Sequence, residues 1–198
     1  MNLWDNTAPA NEVERVAILK DGIHRDQPFS TYVKLDRVSK TLLHEVYDRS
    51  PAHAMVAKEE SNAMKVGTAV HCAVLEPDLF RDRFKRGPED RRGLRWKAFT
   101  DEYGEGALTA GDYDLALELR DAIRHNEYVK KLTGAGAYRE ITACSTDPET
   151  GLKCRMRADA YVPGDGILCD LKTTNDARPE HFRRTVKQFG YHLQEAHY

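Results

Sequence analysis

Long apolar runs are missing from this 198-residue chain. No stretch approaches the roughly 20 apolar residues that a membrane-spanning helix needs. The N-terminus carries no apolar core of the secretory-signal kind, so a cytoplasmic protein with no membrane partner is the expectation. Cysteine is scarce: Cys72, Cys144, Cys154 and Cys169 form no C-x-x-C pair, which argues against a zinc ribbon. Cys144 and Cys154 could face each other across a hairpin, but free thiols are expected in a reducing compartment. Net charge is small as well. With 30 Lys and Arg against 32 Asp and Glu the sum is −2. That argues against a protein that coats nucleic acid by bulk electrostatics and leaves local basic patches to be weighed. Glycine is too sparse at Gly134-Ala-Gly136 for a phosphate loop.

What is present suits one domain over residues 1–198 with a hydrophobic core. Residues 1–28 are polar and irregular apart from Val13–Leu19, a short strand or helix, and read as an arm or edge element that offers a subunit contact. From Ser30 onward Leu35, Val38, Leu42, Leu43 and Val46 recur at helical spacing. Ser39 can cap a helix beginning near Lys40, and Pro51 suits the first turn of the next. His44 and His53 read as surface or packed histidines. Together with residues up to 60 these form an N-terminal arm with helices; residues 61–198 form the main body. Met64–Leu75 is an apolar helix whose Gly67, Thr68, Ala69 and Ala73 allow close packing on a sheet, with Glu76-Pro77 ending it. A lone His71 on such a helix is ordinarily a core residue.

Arg81 to Lys97 is the basic segment and includes Arg91, Arg92 and Arg95, with Trp96 and Phe99 as aromatic surface. It reads either as a solvated loop or as a mobile loop that places arginines on phosphates and an aromatic ring on a base. Thr109 opens another helix, with Asp112 as a capping-box acid and Leu115, Leu119, Ala122 and Ile123 as its core stripe. Glu127–Leu132 follows as a short helix after Asn126.

The stretch from Tyr138 to Tyr198 carries the chemistry. Strand-like runs at Tyr138–Ser145, Leu152–Val162 and Gly166–Thr173 are separated by Thr146-Asp-Pro-Glu-Thr-Gly151 and Pro163-Gly-Asp-Gly166, both turn signals, which predicts an antiparallel meander. Asp170 and Lys172 alternate along the third run and so would share a face. The interval from Asp159 to Asp170 fits a strand, a tight turn and the next strand. Two carboxylates and a lysine then converge at one sheet edge, with the Leu171 backbone carbonyl between them. Hard divalent cations favour that oxygen-rich setting. Set against this, an isolated Asp-x-Lys is ordinarily a surface ion pair. After the meander, Glu180–Tyr198 reads as one helix, basic at Arg183, Arg184 and Lys187, with Gln194 and Tyr198 one turn apart and Gln188 and Tyr191 also on offer.

Taken together, Gly67-Thr-Ala-Val-His71, Glu140, Gly151 to Asp159, Asp170-Leu-Lys172 and Gln194-Glu-Ala-His-Tyr198 resemble the PD-(D/E)XK nuclease superfamily. Within it they resemble the phage-type RecE-like exonucleases of the RecB-like branch, where the last motif is Q-x-x-x-Y. The resemblance implies an α/β fold with a restriction-endonuclease-like core, a small sheet with an antiparallel meander flanked by helices, and an N-terminal helical region. There, text of the Ser39-Lys-Thr-Leu42 and Ser50-Pro-Ala-His53 kind would mark entrance helices. It implies Mg²⁺, or Mn²⁺, held by Asp159 and Asp170 with His71 and the Leu171 carbonyl. Lys172 would be the catalytic lysine and Glu140 the acid of the first core strand. Gln194 and Tyr198 would approach DNA, with Tyr191, Arg183, Arg184, Arg91, Arg92 and Arg95 as further DNA contacts. Some relatives hold an iron–sulfur cluster with cysteines beyond the Q-x-x-x-Y helix; none lies there in this chain, so no cluster is expected. Relatives continue past this helix, so the core ends early at Tyr198, which bears on activity. The implied function is a 5′→3′ exonuclease on linear duplex ends, working in a phage or bacterial cytoplasm as a ring-like homo-oligomer and feeding a single-strand annealing protein. The alternatives are an endonuclease or end-trimming nuclease on the same site, an inactive DNA-binding module, and an α/β protein with ordinary surface charges.

Overall fold

The computed structural model describes residues 18–56 and 61–198. The first half runs β1 (Gly22–His24), α1 (Phe29–Val33), α2 (Lys40–Asp48), α3 (Pro51–Ala54), α4 (Asn62–Leu75) and α5 (Pro77–Arg83). Then come β2 (Lys85–Arg86), α6 (Gly93–Tyr103), β3 (Ala107–Leu108), α7 (Ala110–Ile123) and α8 (Glu127–Thr133). The site-bearing end is β4 (Tyr138–Thr146), β5 (Lys153–Val162), β6 (Ile167–Cys169), α9 (Pro179–Gln188) and α10 (Tyr191–His197). Most of the segment predicted at Val13–Leu19 lies outside the described residues. Among the described residues no helix is long and apolar enough to cross a membrane.

Helix starts follow their caps. Ser39 accepts from the Leu42 N–H, Ser61 from Met64, Thr109 from Asp112 and Asn126 from Tyr128. Each supplies an acceptor to a donor that the first helical turn leaves free. Pro51 and Pro77 open α3 and α5, where a missing N–H costs nothing. The core lies between α4 and α7. Ala69, Val70, Cys72, Ala73, Val74 and Leu75 of α4 are buried together with Phe80, Phe84, Leu108 and Ala116, and Tyr113 and Leu171 pack against them.

The sheet has four strands rather than the predicted three, in the order β1-β4-β5-β6 with every neighbour antiparallel. The additional strand comes from the N-terminal segment: Gly22, Ile23 and His24 pair with Cys144, Ala143 and Thr142. Arginines tie that segment down. Arg155 Nη1 donates to the carbonyls of Tyr32, Val33 and Leu35, and Arg37 donates to those of Leu19 and Ser145. The described part of the arm at Gly22–His24 is therefore an edge strand of the sheet. The β4–β5 turn is closed by Asp147, whose Oδ1 accepts from the N–H groups of Glu149 and Thr150, with Gly151 at φ 72°. Cys144 lies opposite Arg155 and Cys154 opposite Ser145, and all four cysteines are free.

Three further expectations are corrected. β6 stops at Cys169 instead of reaching Thr173, because the next free N–H, that of Leu171, turns to the Asp159 carboxylate. The C-terminal helix is broken into α9 and α10 at Gly190, which sits at φ +62°. A Cβ there would lie 2.8 Å from Cδ2 of His44 on α2. The Arg81–Lys97 segment is not a continuous loop: it spans the end of α5, β2 and the first part of α6. Several of its cations are engaged, Arg83 with Glu76, Arg86 with Asp114 and Arg91 with Asp112.

Candidate active site

Three elements meet at Asp159: its own strand β5, the facing strand β4, and α4 packed across them. The β4–β5 register pairs Arg139 with Ala160 and Ile141 with Ala158. Glu140 is thus set across from Asp159, yet the two form no ladder pair. Glu140 has φ +51°, a conformation that side chains other than glycine rarely adopt. The helix contributes His71, whose Nδ1 lies 3.4 Å from Asp159 Oδ2. Close approach of α4 rests on its small residues: Ala69 and Ala73 are fully buried.

His71, Glu140 and Asp159 each offer a ligand atom within 4.8 Å of the others. The β5–β6 register pairs Ala160 with Cys169; continued by one residue it sets Asp170 across from Asp159. The Leu171 peptide joins the group. Its N–H donates to Asp159 Oδ2 at 2.5 Å, and its backbone lies close enough to the His71 ring to favour the charged imidazolium. Leu171 itself packs on the core, which anchors Asp170 and Lys172 on either side.

Asp170 lies outside the three-residue cluster and has a different set of partners. Gln194 Nε2 donates to its Oδ1 at 2.5 Å, and Lys172 Nζ is ion-paired with its Oδ2. That Oδ2 is buried and accepts no hydrogen bond of proper geometry. Lys172 also stands 5.1 Å from the Tyr191 ring centroid, a cation–π arrangement. Tyr198 donates its hydroxyl to the Arg157 carbonyl at 2.8 Å, and His197 is hydrogen-bonded to that of Arg155. Gln194 and Tyr198 therefore direct their polar groups into the protein, onto Asp170 and β5. Arg91 is paired with Asp112, whereas Arg92 and Arg95 are exposed around the start of α6, and Arg183 and Arg184 are exposed on α9.

Burial shifts the titration of this group. Desolvation raises Asp170 above the usual carboxylate range, the Asp159 charge adds to it, and Lys172 and Gln194 offset part. Glu140 is likewise raised by burial against the opposing pull of Arg157. Burial alone would depress His71, but the Asp159 carboxylate and the Leu171 backbone outweigh it and hold the imidazolium to higher pH. Tyr198 is pushed far up by burial and then by the charge of Asp170.

Two carboxylates, one imidazole and a nearby peptide oxygen are a donor set that a divalent cation fits. Carboxylate and carbonyl oxygens suit Mg²⁺ and Mn²⁺, and the imidazole weights the set toward the latter. One residue of the site escaped the sequence analysis. Arg157 donates through Nε to Glu140 Oε2 at 2.8 Å and through Nη1 to Thr142 Oγ1 and the Gln27 carbonyl. Its signal was available, since it alternates with Asp159 on one strand and so shares its face. A search of curated protein sequences finds no match. The family model for a PDDEXK-like domain of unknown function (DUF3799) matches residues 29–198, a span that holds every site residue named above. This chain belongs to that family of PDDEXK-like domains, its mixed α/β fold with a small antiparallel sheet flanked by helices is consistent with a PDDEXK-like fold, and membership suggests a nuclease.

Proposed function

We propose that this protein is a divalent-metal-dependent exodeoxyribonuclease that degrades linear duplex DNA from its ends in the 5′→3′ direction, leaving single strands for recombination by annealing. The observation that carries the hydrolytic reading is the His71–Glu140–Asp159 cluster beside the Asp170–Lys172 pair. The end preference and polarity rest on the motif resemblance to RecE-like exonucleases. A ring-like homo-oligomer and an annealing protein as partner belong to the same reading.

A bound Mg²⁺ or Mn²⁺ would polarise the scissile phosphate and lower the pKa of a coordinated water. His71, Glu140, Asp159 and the Leu171 carbonyl would hold it, with Asp170 on its flank. Lys172 orients the attacking water and meets the negative charge that grows on the phosphate oxygens. Its pairing with Asp170 keeps the ammonium over the site, and Gln194 fixes the carboxylate it pairs with. Arg183, Arg184, Arg92 and Arg95 are exposed cations suited to backbone phosphates.

The test is digestion of linear duplex labelled at one 5′ or one 3′ end, with a covalently closed circle alongside. Immediate release of the 5′ label, late loss of the 3′ label and an intact circle are expected. Cutting of the circle would replace the exonuclease by an endonuclease on the same site. Binding of duplex without digestion would make the chain a DNA-binding module.

A further inference from the structure

Arg157 meets the acidic cluster at Glu140, as Lys172 meets it at Asp170. Glu140, Asp159 and Asp170 are three carboxylates at close quarters, and Lys172 neutralises Asp170. Nothing in the motif pattern supplies a counterpart for Glu140. Arg157 fills that place: Nε to Glu140 Oε2 at 2.8 Å, with the side chain largely buried. The guanidinium has little freedom to leave. Nη1 is held at 3.2 Å by Thr142 Oγ1 and at 2.9 Å by the Gln27 carbonyl, and Cζ lies 5.9 Å from each ring centroid of Phe29 and Tyr32. Glu140 meanwhile has a strained backbone at φ +51°. Its side chain would be free to turn away if nothing held the carboxylate. A carboxylate has two oxygens, so a guanidinium on Oε2 is compatible with a cation on the other.

We infer that Arg157 is a positioning residue for the cation site: it fixes the Glu140 carboxylate in the orientation that lets it join His71 and Asp159, and so sets the affinity for the divalent ion. The inference deepens the metal-dependent reading above and rests on it. A purely structural role is the competing account, because the same guanidinium also pins the Gln27 backbone.

The experiment is a double-mutant cycle read on Mn²⁺ binding, followed by electron paramagnetic resonance of the free ion without DNA or turnover. Arg157→Gln is expected to weaken Mn²⁺ binding about tenfold, the lower end of what lost outer-shell partners cost. In the Glu140→Gln background the same change is expected to have no further effect, because the group it positions is gone. Equal weakening in both backgrounds would assign Arg157 to general folding and overturn the inference. Binding as tight as wild type or tighter would overturn it too, leaving Arg157 a mere competitor of the metal. Should Arg157→Gln fail to fold, Arg157→Lys keeps the charge and loses the fork. It is expected to weaken binding several-fold with Glu140 present and to have no effect in the Glu140→Gln background. The absence of that contrast would count against the inference. Wild-type protein that binds no Mn²⁺ would remove the metal reading itself, and the inference with it.

Discussion

At the scale of single residues, the site is a set of buried groups whose charges are balanced in pairs, and each pair makes a different forecast. Gln194 gives Asp170 a well-formed hydrogen bond on Oδ1. Gln194→Ala is therefore expected to lower the cleavage rate about 10–100-fold, in line with other outer-shell losses, while far-ultraviolet circular dichroism stays unchanged; an unaltered rate would deny the glutamine this role. The protonation pattern gives a second forecast. His71, Glu140 and Asp170 all bind protons more tightly folded than their ordinary values of 6.5, 4.5 and 3.8. For His71 the stabilisation is complete below 6.5 and is lost as pH rises through its raised value. For the two carboxylates the folded state likewise gains most at low pH and loses ground as pH climbs past their raised values. All three signs agree. In EDTA the melting temperature of wild type is expected to fall more steeply from about pH 5 to 8 than that of the His71→Gln variant. With Mn²⁺ present that fall is expected to reverse, since metal uptake releases the imidazole proton. Parallel melting curves with and without the ion would contradict this.

At the scale of elements, α10 reaches the site because the chain turns sharply before it. Gly190 takes a left-handed conformation against the His44 ring, and that turn aims Gln194 at Asp170 and Tyr198 at β5. Gly190→Ala is expected to cost about 1–2 kcal/mol for the conformation alone and more from the contact with His44. Urea denaturation would measure it, and a loss well below that range would show that α10 is not held by this turn. The break was invisible in the sequence because a glycine inside an otherwise helical pattern is tolerated as readily as it interrupts. The same holds for β1: three residues are too few to show alternation, and its pairing is set by long-range contacts of Arg37 and Arg155. The caps at Ser39, Thr109 and Asn126, by contrast, were legible because a cap is a local hydrogen bond that residue type and spacing announce.

At the scale of the whole molecule, the near-zero net charge conceals a division of labour among its cations. Arg37, Arg83, Arg86, Arg91, Arg155 and Arg157 are bound up in ion pairs or carbonyl contacts. Arg183 and Arg184 are exposed and make no hydrogen bond or ion pair among the described residues. Charge-to-alanine changes on α9 are thus expected to weaken duplex binding and to reduce its salt slope by about one unit per phosphate contact removed. Arg91→Ala is expected to leave that slope nearly unchanged, because Asp112 already holds its guanidinium. Equal slopes for wild type and the α9 variants, by fluorescence anisotropy across salt concentrations, would move the interface elsewhere. Asp159, Asp170 and Lys172 were legible from spacing because hairpin geometry is short-range. The place of His71 was named only through the family pattern, and Arg157 was passed over, because α4 and the N-terminal segment come to the sheet through tertiary packing.

The most direct test of the central claim is Mg²⁺- or Mn²⁺-dependent cleavage of linear duplex DNA by wild type compared with Asp159→Asn and Lys172→Ala, each checked for an unchanged fold. Cleavage by wild type that EDTA abolishes, and that both substitutions reduce by at least about a thousandfold, is the expected result. Cleavage that survives either substitution, or that proceeds in EDTA, would contradict the assignment of this cluster as the catalytic centre.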